Sequence, residues 1–168
     1  MLSPIGVILV AAVIIFIIVM VFLIQGPPYV PSDDDSAAQM LKLVKAYKPK
    51  RILDMGSGDG KLVVLLARQG CRVDGVELKP WLVWRSRRAI RRAGVGELAS
   101  VRWGNFWRYD VSGYDLVVLY AIAHAMPRLE RKLRAELPVD AVVVSNYFVF
   151  PNLKPVKSTA RARVYKIT

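Results

Sequence analysis

The sequence predicts an α/β domain: an open, mostly parallel sheet with helices on both faces, preceded by one apolar helix. Three observations carry that prediction. The first is the stretch Arg51 to Gly60, where an apolar run, Ile52 to Met55, ends in Gly56, Gly58 and Gly60 and a helix-like run, Lys61 to Gln69, follows. A strand, a tight turn and a helix start in that order mark the place where an open α/β sheet holds a nucleotide-like ligand. The second is the alternation of strand-like and helix-like segments over the remaining residues, the pattern of a parallel sheet. The third is the run 5–24, which contains no charged or strongly polar side chain. As a helix at ~1.5 Å per residue it covers about 30 Å, the depth of a bilayer's hydrocarbon core. The expected organisation is a membrane span at 1–25, a linker and first helix at 26–48, and the α/β domain at 49–168.

Residues 5–24 lack the basic n-region of a cleaved signal, and the apolar run is longer than a signal's core. A retained single span, in contact with the bilayer through 5–24, is the expectation. Lysines and arginines begin only at Lys42, so the positive-inside tendency puts the domain on the cytoplasmic side. Gln25 to Pro31 reads as a linker of helix breakers. Ser32 is placed to cap the next helix, and Asp33, Asp34 and Asp35 suit the positive end of its dipole. Met40, Leu41, Val44 and Tyr47 give that helix one apolar stripe, and Pro49 closes it before the strand.

Arg72 to Leu78 reads as the second strand and ends in an acid. Glu77 lies 19 positions beyond Gly58, close to the ~20-residue offset at which an acid accepts ribose hydroxyls. Lys79-Pro80 opens a helix over Trp81 to Ala93. Its Arg85, Arg87, Arg88, Arg91 and Arg92 form either a solvated face or a patch for anionic lipid headgroups, with Arg85, Arg88 and Arg92 the candidate lipid contacts. Glu97 to Trp103 is the third strand and leads into Gly104-Asn105-Phe106-Trp107. Tyr114 to Tyr120 is the fourth strand, Met126 to Leu137 a helix ended by Pro138, and Val139 to Phe150 a long fifth strand. Lys154 to Thr159 and Arg161 to Ile167 suit a closing antiparallel hairpin.

Composition bounds the partners. The chain has 168 residues, room for one domain, with a formal charge of +12; its pI is near 10.1 and its mean hydropathy +0.33. Such a balance implies an anionic surface or partner. No RNA-binding motif with aromatics interleaved on strands is present, so nucleic acid is disfavoured. One cysteine, Cys71, rules out an internal disulfide, and with the single histidine, His124, it cannot build a soft-ligand metal site. No metal is expected.

The glycine turn discriminates among cofactors. A dinucleotide fingerprint wants its third glycine at Lys61, and a phosphate loop wants serine or threonine at Leu62. S-adenosylmethionine has no phosphates. Its carboxylate suits backbone N–H groups at a helix start, and its ammonium suits an acid. Asp54 with Gly56, Gly58 and Gly60 supplies both, and the glycines let the backbone approach closely. Ser57 within the turn, Glu77 with Leu78 after it, and Asn105 with Phe106 at the third strand's edge complete the candidate cofactor set. Asn105 is placed for the adenine amino group and Phe106 or Trp107 for the ring.

Asp54-Met55-Gly56-Ser57-Gly58-Asp59-Gly60 resembles the first motif of the class I, seven-strand methyltransferases, whose sheet is Rossmann-like. In combination with Tyr29-Val30-Pro31-Ser32, Glu77 to Val83 and Lys132 to Pro138, it is similar to one family: the membrane-tethered lysine N-methyltransferases of mitochondria that modify adenine nucleotide translocase and the c-ring protein of ATP synthase, with their short prokaryotic relatives. The resemblance implies that Asp54, Gly56, Gly58 and Glu77 bind S-adenosylmethionine. It also puts Asn105 where relatives usually carry an aspartate. It implies a protein substrate at or in the membrane. Tyr120, at the end of the fourth strand, and Tyr29 are the candidate catalytic walls around the acceptor nitrogen, and His124 is read as structural. The competing functions are methylation of RNA, a lipid or a small molecule, or a non-catalytic cofactor-binding scaffold at the membrane.

Overall fold

The computed structural model describes residues 3–25, 29 and 34–168. It separates into two units, Met1–Val30 and Pro31–Thr168. Ser32, Asp33 and the linker residues 26–28, 30 and 31 lie outside the described residues, and with them the expected cap.

The first unit contains helix α1, Pro4–Gln25. Among the described residues, no helix is long and apolar enough to cross a membrane. The side chains of residues 19 and 21–25 are not among those described. The stretch 4–18 rises only about 22 Å at ~1.5 Å per residue, short of the ~30 Å hydrocarbon core. That overturns the expected span over 5–24, and with it the single-pass membrane localisation and the cytoplasm-facing placement.

The second unit is the expected α/β domain. Helix α2 (Asp34–Ala46) precedes strand β1 (Arg51–Met55); helix α3 (Lys61–Ala67), strand β2 (Arg72–Glu77), helix α4 (Pro80–Ala93) and strand β3 (Ala99–Trp103) follow. Then come β4 (Leu116–Leu119), α5 (Met126–Glu136), β5 (Val142–Asn146), β6 (Lys157–Ser158) and β7 (Ala162–Lys166). The seven-stranded sheet has the order β3-β2-β1-β4-β5-β7-β6. Strands β1 to β5 are parallel and β7 runs antiparallel to both β5 and β6. The order reverses between β1 and β4, and that switch point opens a crevice at the carboxyl ends of the strands.

Strand alternation sorts the core into two layers. Ile52, Val73, Leu116, Val118, Val142 and Val144 face α2, α3 and α4 through Leu43, Val44, Val63, Leu66, Val83 and Ile90. Leu53, Met55, Val117, Leu119 and Val143 face α5 through Met126, Leu129 and Leu133. The central strands are apolar on both sides because helices cover both faces. The strands expected at 97–103, 114–120 and 139–150 are each shorter. The fifth ends at Asn146 because Tyr147 takes a positive φ of 62°, which breaks the extended ladder.

Candidate active site

The first loop is built by backbone geometry. Gly56, Gly58 and Gly60 have φ of 81°, 56° and 81°, the left-handed region that glycine enters without strain. The N–H groups of Gly56 and Ser57 both donate to the Val76 carbonyl, at 2.9 and 3.2 Å, tying the turn to β2. Gly60 is forced by packing as well: a Cβ there would lie 2.8 Å from Ser86 Oγ and 3.1 Å from Ser86 Cα. At Gly56 a Cβ would meet nothing within 4 Å, so that glycine faces open space in the crevice. Ser57, by contrast, packs over β2, where a Cβ on Gly75 would sit 2.7 Å from its Oγ. Its buried hydroxyl has no hydrogen-bond partner.

Two acids flank the turn. Glu77, 8 % exposed, accepts from the Gly58 N–H at 3.0 Å through Oε2 and from the Lys79 N–H at 2.8 Å through Oε1. It fixes the loop while each oxygen keeps a lone pair for a further donor. Asp54, 6 % exposed, stands near the end of β1 without a side-chain hydrogen bond or ion pair among the described residues. Burial, and then the charge of Glu77, push its carboxyl up from 3.8 to about 7. A buried carboxylate without a partner is costly, and a cationic group beside it would remove that cost.

The third-strand edge does more than offer a ligand contact. Asn105 Oδ1 accepts from the Trp107 N–H at 3.0 Å and so caps the single 3-10 turn Phe106–Arg108. Its side-chain amide is therefore held in place, with one lone pair on the oxygen and the Nδ2 donors left for a ligand. Phe106 packs on Trp107 at 4.9 Å between ring centroids, and the Arg128 guanidinium sits 4.3 Å from the Trp107 ring. Leu78, just past β2, is 37 % exposed; its carbonyl accepts from Trp103 Nε1 at 2.9 Å.

Tyr120 follows β4 at the same carboxyl edge, 6.1 Å from Tyr147 and 6.4 Å from Phe148 between ring centroids. Tyr29 is half-buried and belongs to the other unit. His124 lies exposed in the short turn Ala123–Ala125. Among the described residues no group of acids, histidine and cysteine could hold a metal ion.

Sequence reasoning missed Ser86. It is fully buried, donates to the Gly58 carbonyl at 2.9 Å and abuts Gly60. The available signal was a small residue on the stripe Leu82, Val83, Ile90 of an otherwise arginine-rich helix. On the opposite face of α4, Asp59, Trp84, Arg85, Arg88, Ala89 and Arg92 line a cleft of about 360 Å³. Arg85 pairs there with Asp59 at 3.7 Å and Arg88 stacks 5.5 Å from Trp84.

A seven-stranded sheet with a single antiparallel strand, a glycine turn after β1 and acids at the ends of β1 and β2 define a Rossmann-like S-adenosylmethionine-dependent methyltransferase domain. The residues fit that cofactor. Asp54 is a buried carboxylate wanting a cation, Gly56 leaves room for close approach, and Glu77 retains acceptor capacity. The family is narrower: residues 54–157 match the model of the ANTKMT methyltransferase domain, and the chain belongs to that family. It is 38% identical over 128 residues to the lysine N-methyltransferase of Xenopus laevis that acts on the c-ring protein of ATP synthase, covering 76% of this chain and 56% of the relative. A protein-lysine N-methyltransferase of Saccharolobus islandicus is 28% identical over 130 residues, covering 76% of this chain and 81% of the relative. The crystal structure of an RNA methyltransferase from Salinibacter ruber with S-adenosyl-L-homocysteine superposes with a TM-score of 0.75 at 31% identity, covering 83% of this chain and 93% of that one. The chain spans just over half the length of the vertebrate ATP synthase-directed methyltransferases it matches.

Proposed function

We propose that this chain transfers a methyl group from S-adenosylmethionine to the side-chain nitrogen of lysine in a protein substrate. The observation that carries the reading is the family match over 54–157, whose relatives include lysine N-methyltransferases from vertebrates and an archaeon. In this reading Asp54 takes the cofactor's ammonium, the N–H groups of the Gly56–Gly60 turn its carboxylate, Glu77 the ribose, and Asn105 with Phe106 the adenine. Ser57 and Leu78 shape the walls of that site.

Bound there, the cofactor supplies a methyl already activated on a sulfonium, so the chain's work is alignment and exclusion of water. The lysine must arrive as the neutral amine. Its N–C bond forms as the S–C bond breaks, one proton leaves the nitrogen for solvent, and the cofactor departs as S-adenosylhomocysteine. Desolvation beside a sulfonium lowers the ammonium pKa, so no strong base is required. Tyr120 lies at the edge where the amine would approach, and Tyr29 is assigned as the second wall. Both roles are tested by tyrosine-to-phenylalanine variants, which should lower kcat while leaving cofactor affinity unchanged.

The substrate class follows the lysine-methylating relatives: a protein, with the basic face of Arg85, Arg88 and Arg92 suited to an anionic surface such as acidic lipid headgroups around it. A second reading, an RNA acceptor, is favoured by the likeness to the Salinibacter enzyme. Mass spectrometry of methylated peptides from cells with and without the protein separates the two. Loss of a methyllysine on deletion supports the lysine reading; an unchanged peptide set with loss of a methylated nucleoside contradicts it.

A further inference from the structure

Resting on the lysine reading, the geometry points to a binding subsite for the acceptor amine made by Asn146, Tyr147 and Tyr120, with Phe148 behind them. The sheet register places it. Asp54 pairs with Val118 and Met55 with Leu119 across β1 and β4, and Leu119 pairs with Ser145 across β4 and β5. One residue further along, Gly56, Tyr120 and Asn146 stand at the carboxyl ends of three neighbouring strands, spaced about 4.8 Å apart. The glycine turn, Glu77 and Asn105 occupy the β1–β2–β3 half of that edge. The β4–β5 half is what remains beside it for an acceptor.

Four features of the β4–β5 half indicate a ligand rather than ordinary packing. Asn146 is only 3 % exposed, yet its Oδ1 has no hydrogen-bond partner, a state that native interiors rarely tolerate. By alternation from Val142 and Val144 it lies on the same sheet face as Asp54. Tyr147 is held at φ +62°, strained for an aromatic residue, by a turn in which the Phe148 N–H donates to the Asn146 carbonyl at 2.8 Å and Ser145 Oγ donates to the Phe148 carbonyl at 2.7 Å. That turn leaves the rings of Tyr147 and Tyr120, 42 % and 39 % exposed, side by side and tilted by 39°, with Phe148 nearly parallel to Tyr120 at 26°.

The chemistry matches a lysine side chain. Aromatic faces attract an ammonium and its methylated forms, and they hold the aliphatic stem by burial. A carboxamide oxygen accepts one N–H of the neutral amine and so orients the remaining lone pair, without the charge that would hold the amine protonated. Asn146 is thus the positioning group and the two tyrosines the wall.

The test uses the full chain saturated with S-adenosylhomocysteine, titrated with N-acetyl-lysine methylamide. Binding is followed by calorimetry and by NMR of the Asn146 side-chain amide. Saturable shifts of that amide are expected. Asn146→Ala should weaken the amine about fivefold, the worth of one hydrogen bond of about 1 kcal/mol. Tyr147→Gly should weaken it by a similar factor while the melting temperature holds, since glycine relieves the positive φ. Both variants should keep S-adenosylhomocysteine affinity within about twofold, well below the effect expected of a lost cofactor contact. Unchanged amine affinity in both variants would overturn the subsite. Cofactor affinity that falls in step with amine affinity would assign these residues to the cofactor instead. Cytidine or adenosine displacing the amine from the same resonances would make the wall a base-stacking surface and the acceptor RNA. A wild-type chain that bound no S-adenosylhomocysteine would sink the parent reading, a result distinguishable from all of these.

Discussion

Asp54→Asn separates the cost of the site from its use. The wild-type carboxyl is pushed from 3.8 to about 7 by burial first and by Glu77 second. Between those pH values the unfolded chain has released the Asp54 proton and the folded chain still holds it. The folded state therefore binds more protons, and stability falls as pH rises from about 4 to about 7, then levels off. Taken at 1.36 kcal/mol per pH unit, the displacement is worth at most roughly 4 kcal/mol at pH 8. Asparagine keeps the shape and abolishes the titration. Urea unfolding at pH 5 and pH 8 should show Asp54→Asn gaining stability relative to wild type at the higher pH. Calorimetry should show the same variant losing S-adenosylmethionine binding, because an amide cannot pair with the ammonium. Wild-type affinity should rise between pH 6 and 8, with up to one proton released on binding. Equal pH slopes for wild type and variant, or cofactor binding retained by Asp54→Asn, would refute the assignment of Asp54.

Gly60→Ala forces a Cβ to within 2.8 Å of Ser86 Oγ at φ 81° and should cost at least about 2 kcal/mol in urea unfolding, from strain and overpacking together. Gly56→Ala meets open space, so its stability cost should stay near ~1 kcal/mol while cofactor affinity measured by calorimetry falls by a much larger factor. Glu77→Ala strips the partner from the Gly58 and Lys79 N–H groups; it should destabilise by roughly 2 kcal/mol or more and abolish cofactor binding. Replacing Arg85, Arg88 and Arg92 with serine should reduce binding to vesicles containing acidic lipid, and in wild type that binding should weaken as salt rises from 0.05 to 0.3 M, roughly the range over which surface charge is screened. Salt-independent binding would refute the electrostatic role.

The sheet was legible because its strands are short apolar runs punctuated by Gly and Pro, and because Asp54 and Glu77 stand where strands end. Boundaries were less so. Val139 to Phe150 reads as one long strand, yet the local turn at Ser145–Phe148 and the positive φ of Tyr147 stop it at Asn146, and no residue type announces that turn. Ser86 and Gly75 act through close approach between distant segments, which periodicity does not encode. Asn105 reads from the sequence as a ligand contact alone; that it also caps Phe106–Arg108 depends on a turn geometry the residue types do not specify. The apolar run 5–24 dominated the localisation reading because hydropathy alone was available there. The unpartnered amide of Asn146 emerges only once the sheet register brings it beside Tyr120.

The central claim, a lysine acceptor, is tested most directly by methyl transfer from radiolabelled S-adenosylmethionine into membranes and extracts of cells lacking the protein, using wild type and Asp54→Asn. Acid hydrolysis and amino-acid chromatography then identify the labelled product. Label in mono-, di- or trimethyllysine is expected with wild type and none with Asp54→Asn; label confined to nuclease-sensitive or lipid-extractable material would contradict the lysine acceptor.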